Sequence, residues 1–215
     1  MSGTTLDGLD LALVEFGLND DKWSYRFVST TTKSYSKSWQ KKLEEARYLA
    51  VDALAVLDRD YTTYLAEEIQ LFRNQNPGYT IDFVCSHGHT VHHKPDQGIT
   101  FQIGNQKELS SLLKTSVVCD FRVQDVALGG QGAPLVPGGE YYLFSEYEAC
   151  VNLGGFANVS LLKQDQLIAF DVAAANLIFN MFAQKLNLPY DADGKIAAQG
   201  LLIPSLLEEL NALPY

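Results

Sequence analysis

At 215 residues the chain has room for one large domain or two small ones, and 47% hydrophobic with 20% charged is the make-up of a packed globular protein. A net charge of -10 with only 16 Lys and Arg argues against nucleic acid as a partner, since phosphate backbones are held by clustered cations. No apolar run reaches membrane-spanning length and the start carries neither a basic-then-apolar leader nor a lipidation signal, so we expect no membrane partner and nothing to cleave.

In chain order, Leu9 to Phe16 (LDLALVEF) and Tyr25 to Ser29 read as two strands joined through the polar stretch GLNDDKW. MSGTTLDGLD then sits at the mouth of that hairpin. Ser38 precedes a periodic segment, and Tyr61, Leu65, Ile69 and Phe72 recur at helical spacing, which predicts two amphipathic helices with core-facing aromatics. Pro77-Gly78 ends the second helix. Ile81 to Cys85 is a compact apolar run expected to be a buried strand, and it opens into SHGHTVHHKP, which holds all four histidines: His87, His89, His92 and His93. Strand ends in open α/β sheets are where ligand loops gather. Four close histidines also raise metal ligation, although no H-E-x-x-H helix accompanies them.

Thr100 to Ile103 predicts a strand, Leu109 to Leu113 a helix and Val117 to Cys119 a strand, an alternation that favours an α/β sheet. Ala149 to Leu153, Val159 to Leu162 and Gln166 to Phe170 are three further strands, and NLGGFAN turns between the first two. Asp171 follows, either as a general base at a strand end or as the N-cap of the Ala-rich helical run after it. Asp191 and Asp193 in YDADGKIAAQG suit a surface turn better than a calcium loop, which would need a later bidentate Glu. A final helix is expected over Pro204 to Asn211. Cys85, Cys119 and Cys150 form no C-x-x-C pair and read as buried reduced thiols of a cytoplasmic protein.

The stretch from Asp120 to Pro137, DFRVQDVALGGQGAPLVP, reads as one long loop. Gly129, Gly130 and Gly132 allow backbone to approach a ligand closely, and Pro134 and Pro137 fix the exit. With MSGTTLDGLD and NLGGFAN it makes three small-residue loops, which suggests one anionic or sugar ligand held between them.

Taken together, MSGTTLDGLD, SHGHTVHHKP, FQIGN, DFRVQDVALGGQGAPLVP, NLGGFANVS, AFD and YDADGKIAAQG resemble, in that order, the anhydro-N-acetylmuramic acid kinase family. The resemblance implies an actin-like ATPase (ribonuclease H-like) α/β fold with a mixed sheet flanked by helices. Residues 1-145 would form the N-terminal lobe, and residues 146-215 the start of an incomplete second lobe. It implies a cytoplasmic enzyme that uses ATP and Mg2+ to open the 1,6-anhydro ring of anhydro-N-acetylmuramic acid with water and phosphorylate the 6-oxygen.

On this sequence the resemblance makes Gly3, Thr4, Thr5, Asp7 and Gly8 the first phosphate loop, with Asp7 near the metal, and Asn152, Gly154 and Gly155 the second. Asp171 would be the catalytic base. His87, Gly88, His89, Thr90, Arg122, Asp125, Gly129, Gly130, Gln131 and Gly132 would line the sugar cleft. The chain departs from the family at Val172 to Ala175, where a Gly-Pro-Gly stretch is common. A sugar-binding remnant without turnover and a histidine-based metal hydrolase stay open as other readings, as does a homodimer.

Overall fold

The computed structural model describes residues 1-3, 6, 8-163 and 166-213. It is a mixed α/β protein that begins with a long antiparallel hairpin of β1 (Gly8–Asn19) and β2 (Lys22–Ser34). Both strands run past the apolar cores read from the sequence, because the connection is only Asp20 and Asp21, at φ 48° and 61°. Two successive positive φ values are what a tight hairpin turn matching the strand twist requires.

α1 (Lys37–Glu45) is capped by Ser36, whose hydroxyl accepts from the Trp39 N–H at 3.2 Å, so the helix starts before the serine at position 38. α2 (Val51–Asn74) is the centre of the core. It buries Leu54, Leu57, Tyr61, Leu65, Ile69 and Phe72, the stripe expected from the spacing. Leu9, Tyr35, Leu43, Ile103, Leu109 and Leu113 close around it. Each such side chain contributes about 1.5–3 kcal/mol on burial.

β3 (Phe83–Cys85) pairs in parallel with β6 (Ser116–Val118), while β4 (His89–Lys94) and β5 (Ile99–Ile103) form an antiparallel ladder. The expectation of a buried strand at β3 is corrected: Phe83 is 53% exposed and Cys85 is an exposed free thiol, because β3 has a single strand neighbour and an open edge. SHGHTVHHKP is not one loop either. His89, His92 and His93 stand on β4, and only His87 precedes it.

α3 (Glu108–Leu113) packs on α2 and leads into β6. The expected loop from Asp120 to Pro137 contains α4 (Phe121–Ala127) and the start of α5 (Val136–Leu143), so the glycines are confined to a short connection. β7 (Ala149–Leu153), β8 (Phe156–Lys163) and β9 (Gln166–Ala174) form an antiparallel meander, followed by α6 (Asn176–Lys185) and α7 (Pro204–Asn211). Asp191 accepts from the Ile196 and Ala197 N–H groups, both at 2.9 Å, which makes YDADGKI a self-closed surface turn.

The described residues expose 15267 Å², against about 9,900 Å² for a compact monomer of this mass. Large apolar side chains are exposed on the later elements, where Phe179, Phe182, Leu201 and Leu210 are all more than half exposed. No described helix is long and apolar enough to cross a membrane.

Candidate functional site

Two groups of the expected residues are brought together. The first gathers where β3, β5 and β6 end. Ser86, just after β3, donates its N–H to the Val118 carbonyl of β6 at 2.9 Å and its hydroxyl to Asn105 at 3.0 Å; Asn105 in turn donates to Asp120 at 3.1 Å. Three strand ends are thereby tied into one platform. Gly88 sits on it at φ 66°, where an added Cβ would lie 2.5 Å from the Ile103 carbonyl oxygen, so the close approach itself demands glycine.

Arg122, on the first turn of α4, forks across this platform. Its Nε donates to His87 Nε2 at 2.9 Å and its Nη1 to the Gly132 carbonyl at 2.7 Å. A guanidinium only donates, so His87 Nε2 must accept, and the ring proton resides on Nδ1, 3.1 Å from the Gly88 carbonyl. His87 is thus a neutral ring of assigned tautomer. Burial lowers its pKa, and the Arg122 charge adds to that, outweighing the bond to Gly88. Asp125, one turn along α4, accepts from the Gly132 N–H at 2.7 Å, and an added Cβ on Gly130 would lie 2.2 Å from the same carboxylate. The glycine connection is therefore folded back over α4 by one cation and one carboxylate. Gln131 and Gly129 at its tip are exposed.

His89 belongs to the core side of this group. Its Nδ1 lies 2.9 Å from the Ser2 hydroxyl, which accepts from the Tyr35 hydroxyl at 2.8 Å, and Tyr35 meets the Tyr61 hydroxyl at 2.6 Å. His89 is 4% exposed, and burial pushes its pKa down to about 4. It holds the strand and does not face a ligand. Thr90 follows it on β4, paired with Gln102.

The second group is on the meander. Cross-strand partners point to one face, and the register sets Asn152 opposite Asn158 and Asn158 opposite Asp171. An amide, an amide and a carboxylate thus stand in one row across β7, β8 and β9. The row lies beside the Gly154-Gly155 turn, whose carbonyls accept from the N–H groups of Asn176 and Ala175 at 3.1 and 2.8 Å. Asp171 is exposed and lies inside β9, which runs on to Ala174, so it is neither at the strand end nor the helix cap: Ala175 takes that place, with no side-chain cap bond. An added Cβ on Gly155 would meet nothing within 4 Å, so packing does not demand glycine there.

Of the first phosphate loop, Thr4, Thr5 and Asp7 lie outside the described residues. Gly3 is described, and Gly8 opens β1 where an added Cβ would lie 2.6 Å from the Lys33 carbonyl oxygen. Among the described residues no hydrogen bond joins the Arg122 group to the Asp171 row, and no three His, Cys, Asp or Glu side chains converge as a metal site. His87, His89 and His93 are each bonded elsewhere, His93 to the Thr100 hydroxyl at 3.2 Å, so the metal-hydrolase reading finds no support in them.

Sequence reasoning missed Asn158, Ser86, Asn105 and Asp58. Asp58, 4% exposed on α2, accepts from the Gly104 N–H at 2.7 Å and from Gln106, and so sets the β5-α3 connection. The signal was available: a carboxylate between Leu57 and Tyr61 on an otherwise apolar stripe is out of place unless it has buried donors.

The family model described as anhydro-N-acetylmuramic acid kinase matches residues 1–215. The chain is 38% identical over 222 residues to the anhydro-N-acetylmuramic acid kinase of Pseudomonas putida, an alignment covering 100% of this chain and 61% of that protein. It is 35% identical to the protein of the same name from Pseudomonas syringae pv. tomato, covering 100% of this chain and 60% of the relative, and 37% identical to that of Zymomonas mobilis, covering 100% and 63%. The chain spans about three fifths of the length of the curated relatives it matches.

Proposed function

The chain belongs to the anhydro-N-acetylmuramic acid kinase family, and from that premise we propose that it carries the machinery of an ATP-dependent kinase acting on anhydro-N-acetylmuramic acid. Water opens the 1,6-anhydro ring and the 6-oxygen is phosphorylated, giving N-acetylmuramic acid 6-phosphate for cell-wall recycling in the cytoplasm. We assign the protein an actin-like, ribonuclease H-like fold, with residues 1-145 as the first lobe and residues 146-215 as the start of the second.

The observation that carries the reading is the row of Asn152, Asn158 and Asp171 beside the Gly154-Gly155 turn. Asp171 takes a proton from the water that attacks C1. As the new C1–O bond forms, the bond from C1 to the bridging oxygen breaks, and that oxygen becomes the free 6-oxygen. When bound, Mg-ATP supplies the phosphoryl group. The bare backbone of Gly154 and Gly155, with Gly3 and Gly8, would cradle its phosphates, and Thr4, Thr5 and Asp7, which lie outside the described residues, would complete the cradle and hold the metal.

An added Cβ on Gly155 would meet nothing within 4 Å, which is compatible with a ligand lying against its backbone. Arg122, Asp125, Gly129, Gly130, Gln131, Gly132, His87, Gly88 and Thr90 line the sugar side, where positioning does most of the work of catalysis. A second reading, sugar binding without turnover, is favoured by Val172 to Ala174 continuing strand β9 where family members commonly turn through Gly-Pro-Gly.

Mass spectrometry of the product tests the proposal. The sugar should gain one water and one phosphoryl group together. A phosphorylated sugar with its anhydro bridge intact would refute the ring-opening step, and sugar that titrates calorimetrically yet gives no product would select the second reading.

A further inference from the structure

Asp58 is 4% exposed on α2 and turns its carboxylate toward the β5-α3 connection. Its Oδ1 accepts from the Gly104 N–H at 2.7 Å, and its Oδ2 accepts from the Gln106 amide. Gly104 stands at φ 94°, where an added Cβ would lie 2.6 Å from Leu65 Cδ1 and 2.7 Å from Tyr61 Cδ1, so the connection is pressed onto the core helix. One buried carboxylate thus grips the residues on either side of Asn105 and seats it.

Asn105 uses both ends of its amide. Its Oδ1 accepts from the Ser86 hydroxyl at 3.0 Å, and its Nδ2 donates to Asp120 Oδ1 at 3.1 Å. A carboxylate can only accept, which fixes the end of the amide that carries the nitrogen. Ser86 immediately precedes His87, and Asp120 lies two residues before Arg122. The same amide therefore touches both segments whose side chains meet in the Arg122 Nε to His87 Nε2 bond at 2.9 Å.

Asp120 gives something up for this contact. It occupies the N-cap of α4, where an Asp ordinarily accepts from the first N–H groups of its own helix. Here it makes no side-chain cap bond: its backbone is left-handed at φ 59°, a region that residues with a Cβ seldom enter, and its carboxylate reaches Asn105.

We infer that Asn105 is a positioning residue of the sugar side, a role that rests on the proposed function: its amide, seated by Asp58, sets the start of α4 against Ser86 and so holds the Arg122 guanidinium on His87. Arg122 is then aimed before a ligand arrives, and His87 is kept in its Nδ1–H form. Asn105 acts without touching the sugar. A carboxylate in place of its amide would face Asp120 and push the start of α4, with Arg122, away from His87.

The bond can be reversed, which supplies the test. Asn105→Asp sets two carboxylates face to face. Asn105→Asp combined with Asp120→Asn restores an amide-to-carboxylate bond running the other way and leaves the Ser86 hydroxyl an acceptor. The parent and both variants are compared at about pH 8, where histidine is neutral. Nitrogen-15 NMR reads the His87 ring, identified by its loss in His87→Asn, and calorimetry reads titration with anhydro-N-acetylmuramic acid. In the parent, Nδ1 should carry the proton and Nε2 should accept. Asn105→Asp should let the ring exchange between tautomers and weaken sugar binding about tenfold, the size of loss expected for a hydrogen bond to a charged group. The double variant should recover both. A purely structural role predicts a lower melting temperature with ring and affinity unchanged; that outcome, or a double variant no better than Asn105→Asp, overturns the inference. The functional reading fails separately: a parent chain that binds no sugar refutes the substrate, and the ring signature alone then decides whether Asn105 positions Arg122.

Discussion

An added methyl group separates two kinds of glycine in the Arg122 group. At Gly88 the clash is with backbone, 2.5 Å from the Ile103 carbonyl oxygen, at a positive φ. Gly88→Ala should therefore cost about 2 kcal/mol in urea unfolding. At Gly130 the clash is with the Asp125 carboxylate, a side-chain group that can swing aside. Gly130→Ala should cost about 1 kcal/mol, less than Gly88→Ala, through the lost bond to the Gly132 N–H. It should weaken sugar binding about tenfold, because the carboxylate must release the Gly132 N–H; equal losses of stability in both variants would contradict this. His89 sets a pH dependence. Burial holds the folded ring at about 4, while the unfolded ring titrates near 6.5. Between those values the unfolded chain binds a proton that the folded chain excludes. The ring therefore costs nothing above about pH 6.5, destabilises progressively as pH falls, and costs about 3 kcal/mol by pH 4. The urea midpoint should drop between pH 7 and pH 4.5, and His89→Gln should flatten part of that drop; an identical slope in the variant would remove His89 as its source.

At the scale of elements, the β1-β2 hairpin depends on a turn built from Asp20 and Asp21, both at positive φ. Non-glycine residues there carry a backbone cost of about 1 kcal/mol each. Asp21→Gly should raise the melting temperature by about 2–4 °C; no change would mean that the hairpin melts apart from the core. The legible elements were those with strong periodicity: the α2 stripe of Tyr61, Leu65, Ile69 and Phe72 is buried as its spacing required, and the helix from Pro204 to Asn211 was marked by its proline start. α4 was hidden because seven residues without a side-chain cap precede a dominant glycine signal. β4 was hidden because histidines occupy a strand whose register shifts between Thr90 and His92. The partial exposure of β3 could not be read at all, since an apolar run specifies a strand but not which of its edges finds a partner.

At the scale of the whole molecule, the site was legible in part. The glycine turns, Arg122, Asp125 and His87 form one bonded group, but the Asn152-Asn158-Asp171 row comes from strand register, which no local spacing reveals. In the proposed reaction Asp171 carries the proton transfer from the attacking water. A coupled ADP-release assay with anhydro-N-acetylmuramic acid and Mg-ATP, on this chain and on Asp171→Asn, tests it most directly. The variant should keep the sugar affinity and lose turnover by a factor on the order of 10²–10⁴, the usual share of a general base. Undiminished ADP release from Asp171→Asn would contradict the account and place the base elsewhere.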